Sequence, residues 1–247
     1  GMVYADYCPE CKVGVVIEVN AETDFVAKND KFVAFVKEAT KVIMKQNPAD
    51  VEALMACKTE SGETVDEALK NLILVIKENI KVRRFAFYTE GVSVPYIHAG
   101  GKIGVLVNLA VEGGIDATEI GKNVAMQIAA LNPRFWDKSD VTEDVLAEEK
   151  KVALALMDQD PKMASKPQQV KEKIVLGKLN KFYEENCLLQ QEYVKDGSMT
   201  VEKYIASAAK ELGGSVKFVK AVRFLKGEGI EKKQENFAEE IASMIKG

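Results

Sequence analysis

The chain is short of the residues that most often do chemistry. One histidine, His98, occurs in 247 residues. No acid and nucleophile stand beside it as a set, so there is nothing from which to assemble general acid–base catalysis. No Gly-x-x-x-x-Gly-Lys-Ser/Thr run is present, and neither Gly213-Gly214 nor Gly227-Glu-Gly229 is a phosphate loop. Cysteine is sparse, with four in all. Cys8-Pro-Glu-Cys11 has the spacing of half a zinc site, but Cys57 and Cys187 stand alone and the second half is missing. The pair reads instead as a hairpin turn carrying two reduced thiols, and neither a metal nor a cofactor is expected. No apolar run approaches the roughly 20 residues of a membrane span. The opening Gly1-Met-Val-Tyr-Ala-Asp has neither the basic start nor the apolar stretch of a signal peptide, so a cytoplasmic location is expected. There is no basic block either: 34 lysines and arginines are spread among 38 acids, net −4. Direct nucleic-acid binding is disfavoured on that ground.

What is present is a sizeable potential core, since 47% of the residues are hydrophobic, enough for one or two domains. The chain also repeats itself weakly. Lys12-Val-Gly-Val-Val-Ile-Glu-Val-Asn20 echoes Lys102-Ile-Gly-Val-Leu-Val-Asn108, and Val82-Arg-Arg-Phe-Ala-Phe87 echoes Ala221-Val-Arg-Phe-Leu225. The recurrence points to an α+β fold of two related strand–helices–strand units. The first unit is expected over 1–100, and the second over 101–137 and 186–228. A helical hairpin over 138–185 would be inserted between the two parts of the second, and a helical module over 229–247 would end the chain.

Periodicity fills in the elements. Phe32, Phe35, Val36, Ala39 and Ile43 predict a helix over 30–46, and a short helix comes next over 50–57. The Thr64-x-x-Glu67 capping box starts another at 65. Strands are expected at 81–89, 94–98, 102–111 and 215–226. Asp116 with Glu119 opens a helix that Pro133 ends. In the hairpin, Val145, Val152 and Leu156 should face Val170, Ile174 and Leu179. A helix over 200–212 closes at Gly213-Gly214, and Phe237, Ile241 and Ile245 align along a last helix over 235–245.

The most informative stretch comes after the strand Val15–Val19. The apolar run stops at Glu22-Thr23-Asp24, whose short polar side chains favour a turn, and Phe25-Val26 comes directly after. Spacing alone leaves two readings. Phe25 can tuck into the core while Asp24 caps the next helix, the commoner outcome of a strand-to-helix turn. Alternatively, a rigid scaffold presents an acid and a ring to a partner.

Four ordered segments resemble one family. Glu18-Val-Asn-Ala-Glu-Thr-Asp-Phe-Val-Ala-Lys-Asn29 is similar to the signature of bacterial elongation factor Ts. Tyr96-Ile-His-Ala-Gly-Gly-Lys-Ile-Gly-Val-Leu-Val107, Ala125-Met-Gln-Ile-Ala-Ala130 and Arg223-Phe-Leu-Lys-Gly-Glu-Gly-Ile-Glu-Lys232 match further along. The resemblance implies a guanine nucleotide exchange factor that binds elongation factor Tu, in GDP-bound and nucleotide-free forms, and makes or breaks no covalent bond. It implies that Thr23, Asp24, Phe25 and Val26 press on the partner near its magnesium ion, and that Ile103 and Gly104 lie at the partner surface. It places Gln127 where the family often has a histidine that packs near the partner's phosphate-binding loop. It also implies that the hairpin or the C-terminal unit can serve a homodimer. The family's small N-terminal helical module has no counterpart before Cys8, so the chain is expected to be a fragment with reduced partner affinity. The competing reading is a binding module, for elongation factor Tu or another partner, without exchange activity.

Overall fold

The computed structural model describes residues 1–230. Two hairpin-led units account for its centre. In the first, β1 (Met2–Cys8) and β2 (Val13–Asn20) form a hairpin, and the helices α1 (Asp30–Gln46), α2 (Val51–Ala56) and α3 (Val65–Ile76) come after it. The chain then returns as β3 (Lys81–Tyr88) on the far side of β2. In the second, β4 (Val92–His98) pairs with β5 (Ile103–Glu112), α4 (Thr118–Leu131) comes next, and β8 (Ser215–Leu225) closes the sheet against β5. Both sheets are antiparallel, in the order β1-β2-β3 and β4-β5-β8. Because β4 pairs with β5, the first unit ends after Tyr88, earlier than the expected boundary at 100. The strand over 92–98 looks as apolar as its predecessors, and only its pairing partner decides which sheet owns it.

Among the described residues the helices form close to where the sequence predicts them, and the caps of α1 and α3 show why. The helix α4 instead starts at Thr118 with Ala117, not Asp116, at its cap position and no side-chain cap hydrogen bond there. Asn29 accepts hydrogen bonds from the backbone of Lys31 (2.9 Å) and Phe32 (3.4 Å) at the start of α1. Thr64 and Glu67 make the reciprocal capping box of α3. The helices α1–α3 cover one face of the first sheet, burying Val15, Ile17, Val19, Phe32 and Ile43. The helices α4 and α8 (Val201–Glu211) cover the second sheet, burying Val105, Val107, Ile120 and Ile205. The bare faces of the two sheets meet through Val3, Ala5, Val16, Leu106 and Phe224.

That sheet-on-sheet contact explains the clearer of the two sequence echoes. A Cβ on Gly14 would lie 2.4 Å from Ser93 Cβ, and one on Gly104 would lie 2.4 Å from Val3 Cγ1. Each unit thus uses a glycine at the same repeat position to let the other sheet approach. The echo extends to a register shift at Glu18/Val19 and another at Asn108/Leu109. The second echo does not hold in register. Glu18 faces Arg84 on β3, while its counterpart Asn108 faces Lys220 rather than Arg223.

Between α4 and β8 the chain makes the hairpin α5 (Glu143–Gln159), α6 (Pro161–Ala164) and α7 (Gln168–Asn186). The small hairpin β6 (Glu192–Tyr193) and β7 (Asp196–Thr200) then leads into α8. Ile174 and Leu179 pack as expected, and Val145 packs at the hairpin base. The seam itself runs through Ala153 and Met157 against Val175 and Leu179, leaving Val152, Leu156 and Val170 exposed. The small Ala153 is buried in that seam, where its size permits close helix approach.

The expectation of two reduced thiols is corrected: Cys8 and Cys11 are joined as a disulfide. The turn brings their Cα atoms to 5.5 Å, and the Cys11 N–H donates to Cys8 Sγ at 3.1 Å, so the hairpin geometry already suits the bond. The expected terminal helix over 235–245 lies outside the described residues.

Candidate functional site

β2 leaves its sheet just past the irregularity at Glu18/Val19, and the chain turns through Ala21–Asp24. Phe25 precedes a 3₁₀ turn over Val26–Lys28. The two neighbouring apolar residues part company there. Val26 is 4% exposed and joins the core under α1, while Phe25 is 86% exposed. The reading in which Phe25 tucks inward and Asp24 caps α1 therefore fails: Asn29 is the cap, and the ring stands in solvent.

The loop is held from two sides. Thr23 donates through its backbone N–H (3.0 Å) and hydroxyl (2.6 Å) to the carboxylate of Glu78, just past α3. Lys226, just past β8, donates to Asp24 Oδ1 at 2.8 Å. Lys226 also ties in the second unit, because its N–H donates to the Lys102 carbonyl at 2.8 Å and its neighbour Leu225 pairs with Ile103. Thr23, Asp24, Phe25 and Ile103 thus lie at one end of the molecule.

Beneath the loop, Glu18 is buried with 0% exposure. Burial opposes its ionisation. The Gly227 N–H, Asn20, Arg84 and Arg83 outweigh that penalty together and hold its carboxyl below the usual carboxylate range. Sequence reasoning passed over Glu18, Glu78 and Lys226. For Glu18 a signal was present: it is the one charged residue in the apolar run Val13–Val19.

Two expected surface residues are placed elsewhere. Gly104 is buried and faces Val3 and Val16 across the sheet interface. Gln127 is 0% exposed. Its amide nitrogen donates to Gln191 Oε1 (3.3 Å) and the Glu192 carbonyl (2.9 Å), and its oxygen accepts from the Val194 N–H (2.9 Å). Both polar ends are satisfied inside the chain, so the side chain knits α4 to the β6 region rather than facing outward. A helix face read from sequence does not reveal that the chain returns over it some 65 residues later.

The arrangement is a loop held from two sides that offers an exposed ring beside a braced carboxylate. Among the described residues, the His98 ring meets the Tyr96 hydroxyl, at 3.0 Å. Among the described residues, no helix is long and apolar enough to cross a membrane.

Comparison with known proteins gives the class. The sequence model of the family described as Elongation factor TS matches residues 22–228. Proteins named Elongation factor Ts are similar along almost the whole chain. That of Clostridium botulinum (strain Eklund 17B / Type B) is 42% identical over 250 residues, spanning 99% of this chain and 80% of the relative. That of Trichlorobacter lovleyi is 44% identical over 252 residues, spanning 98% and 80%. That of Clostridium kluyveri (strain ATCC 8527 / DSM 555 / NBRC 12016 / NCIMB 10680 / K1) is 43% identical over 254 residues, spanning 100% and 81%. The molecule is a translation elongation factor by class. The chain belongs to the elongation factor Ts family.

Proposed function

We propose that this chain is a guanine nucleotide exchange factor that binds elongation factor Tu·GDP and promotes release of GDP by disturbing the magnesium and phosphate site. One observation carries the reading beyond family membership: Phe25 stands 86% exposed at the tip of a loop pinned by Glu78 on one side and Lys226 on the other. A large ring costs solvent exposure in the free protein and gains by entering an apolar pocket on a partner. Pinning the backbone lowers the ordering cost of that insertion.

The mechanism is coupling rather than bond chemistry. Bound GDP is held through its phosphates and the magnesium ion beside them. A wedge that shifts the elements around the ion weakens that hold, and reciprocity requires GDP to weaken the exchange factor's grip equally. A coupling of about 4 kcal/mol in the ternary complex would speed release by up to about a thousandfold. Phe25 acts as the wedge. Asp24 brings negative charge toward a site organised by a cation, and Thr23 anchors the turn. Val26 roots the loop in the core, and Ile103 extends the contact at the same end. Gly104 and Gln127 support the scaffold from within. A place in the cytoplasm, where elongation runs, goes with this reading.

Stopped-flow release of fluorescent GDP from elongation factor Tu tests it. The release rate should rise with chain concentration toward a plateau far above the spontaneous rate. Co-purification with elongation factor Tu without acceleration would instead make the chain a binding module.

A further inference from the structure

Thr23, Asp24 and Phe25 are residues a partner would touch. The geometry points to one more that a partner would not touch, and this inference rests on the exchange reading: we propose that Glu18 is the positioning residue that sets the stance of the docking loop. Its carboxylate gathers donors from both units. Oε1 accepts from Asn20 Nδ2 (3.0 Å), Arg83 Nη1 (3.1 Å) and the Gly227 N–H (2.8 Å), and Oε2 accepts from Arg84 Nε (2.7 Å). The arginines carry the connection onward. Arg83 donates to the Glu228 carbonyl, and Arg84 donates to the Leu225 carbonyl at 3.3 Å while lying over the Phe224 ring.

The consequence is geometric. Glu18 fixes the backbone of 225–228 on both sides of Lys226, and Lys226 holds Asp24, the neighbour of Phe25. In the other direction, the loop leaves β2 two residues after Glu18. One buried carboxylate thus sets both the root of the loop and the strap that braces its tip. An amide of the same shape cannot do this. It would present N–H groups toward one of two guanidiniums that have only donors to offer.

The second unit provides an internal control. Asn108 occupies the repeat position of Glu18, and it too is buried beside a register shift. Asn108 Nδ2 donates to the Glu90 carbonyl (2.7 Å) and to Ser93 (3.3 Å), gripping the segment after β3 much as Glu18 grips the segment after β8. Gly14 packs on Leu106 and Gly104 on Val16, so β2 and β5 run antiparallel across the interface and the two polar residues lie at opposite ends of it. Disturbing Asn108 therefore weakens the scaffold without reaching the Phe25 loop.

The test compares Glu18→Gln, Arg83→Met (which keeps the Arg84 pair) and Asn108→Ala in two measurements. In hydrogen–deuterium exchange of the free chain, Glu18→Gln should speed exchange of the amides over 21–28 and 225–230 at least tenfold and leave the centres of α1 and α4 unchanged. Arg83→Met should give a smaller change in the same places, and Asn108→Ala should give none there. In fluorescent-GDP release, Glu18→Gln should lower the plateau rate at least tenfold, and Asn108→Ala should keep it. Glu18→Gln should also add little to the loss already caused by Phe25→Ala, because both act through one loop. Unchanged loop exchange in Glu18→Gln would overturn the assignment, as would additive losses in the double variant. If Glu18→Gln does not fold, Arg83→Met decides by the same two criteria. If the wild-type chain itself fails to accelerate release, the exchange reading falls, and the hydrogen–deuterium measurement still tests whether Glu18 sets the loop.

Discussion

The two units share a strand order, a packing glycine, and a register shift beside a buried polar side chain. They differ in the turn that leaves the central strand. After β2 the chain turns through Ala21–Asp24 and leaves Phe25 in solvent, braced by Glu78 and Lys226. After β5 it turns through Gly113-Gly114 and folds Ile115 back against the second core. The same scaffold therefore ends one strand in a probe and the other in a plug. The difference lies in the polar residue beneath each end. Glu18 holds a carboxylate against two arginines and the strap after β8, while Asn108 holds an amide against a neighbouring carbonyl. The repeat supplies the frame, and the proposed docking surface falls where the two units depart from it.

Substitutions can break that comparison at graded depth. The largest effect on stability is expected at Glu18. Glu18→Ala leaves two guanidiniums without their counter-charge and should cost about 3 kcal/mol, toward the low end for a broken buried pair because both arginines reach solvent. Urea unfolding measures it. The pH dependence comes from the direction of the shift. The Glu18 carboxyl is held below its ordinary value of about 4.3, so its contribution is complete above that value and is lost as pH falls through the folded-state value. The gap between wild type and Glu18→Gln should therefore narrow on going from pH 7 to pH 3.

Next come the paired glycines. Gly14→Ala and Gly104→Ala each drive a methyl into the facing sheet and should each cost about 1–3 kcal/mol. Similar losses would support the repeat, and a negligible loss at either would break it. Asn108→Ala should cost about 1–2 kcal/mol through the hydrogen bonds it removes from the Glu90 carbonyl and Ser93. At the exposed end, Lys226→Ala and Phe25→Ala should each change stability by less than about 0.5 kcal/mol. Thermal melts of the two should overlay that of the wild type.

Much of this architecture is legible in the sequence, for identifiable reasons. α1 and α3 carry apolar residues at helical spacing behind strong caps, and both appear where periodicity places them. The echo at Lys12 and Lys102 is readable because the packing glycines constrain both copies. The features that stay hidden depend on contacts between distant segments. The owner of β4 is decided by pairing with β5. Gln127 is covered by residues 191–194. The hairpin seam runs along Ala153, a residue too small to stand out in a hydrophobic stripe. Glu78 and Lys226 reach the docking loop across 55 and 202 residues of sequence, and local pattern carries no trace of that. The hairpin turn at Cys8-Pro-Glu-Cys11 is legible, but spacing does not show whether its two sulfurs are joined.

The central claim is that an exposed ring, not the scaffold, does the displacing. The most direct measurement is the plateau rate of fluorescent-GDP release from elongation factor Tu driven by Phe25→Ala, with folding checked by circular dichroism. The account predicts a native spectrum and a plateau lowered roughly 30- to 1,000-fold, the loss expected on truncating an anchor worth about 2–4 kcal/mol. A plateau equal to that of the wild type would contradict it.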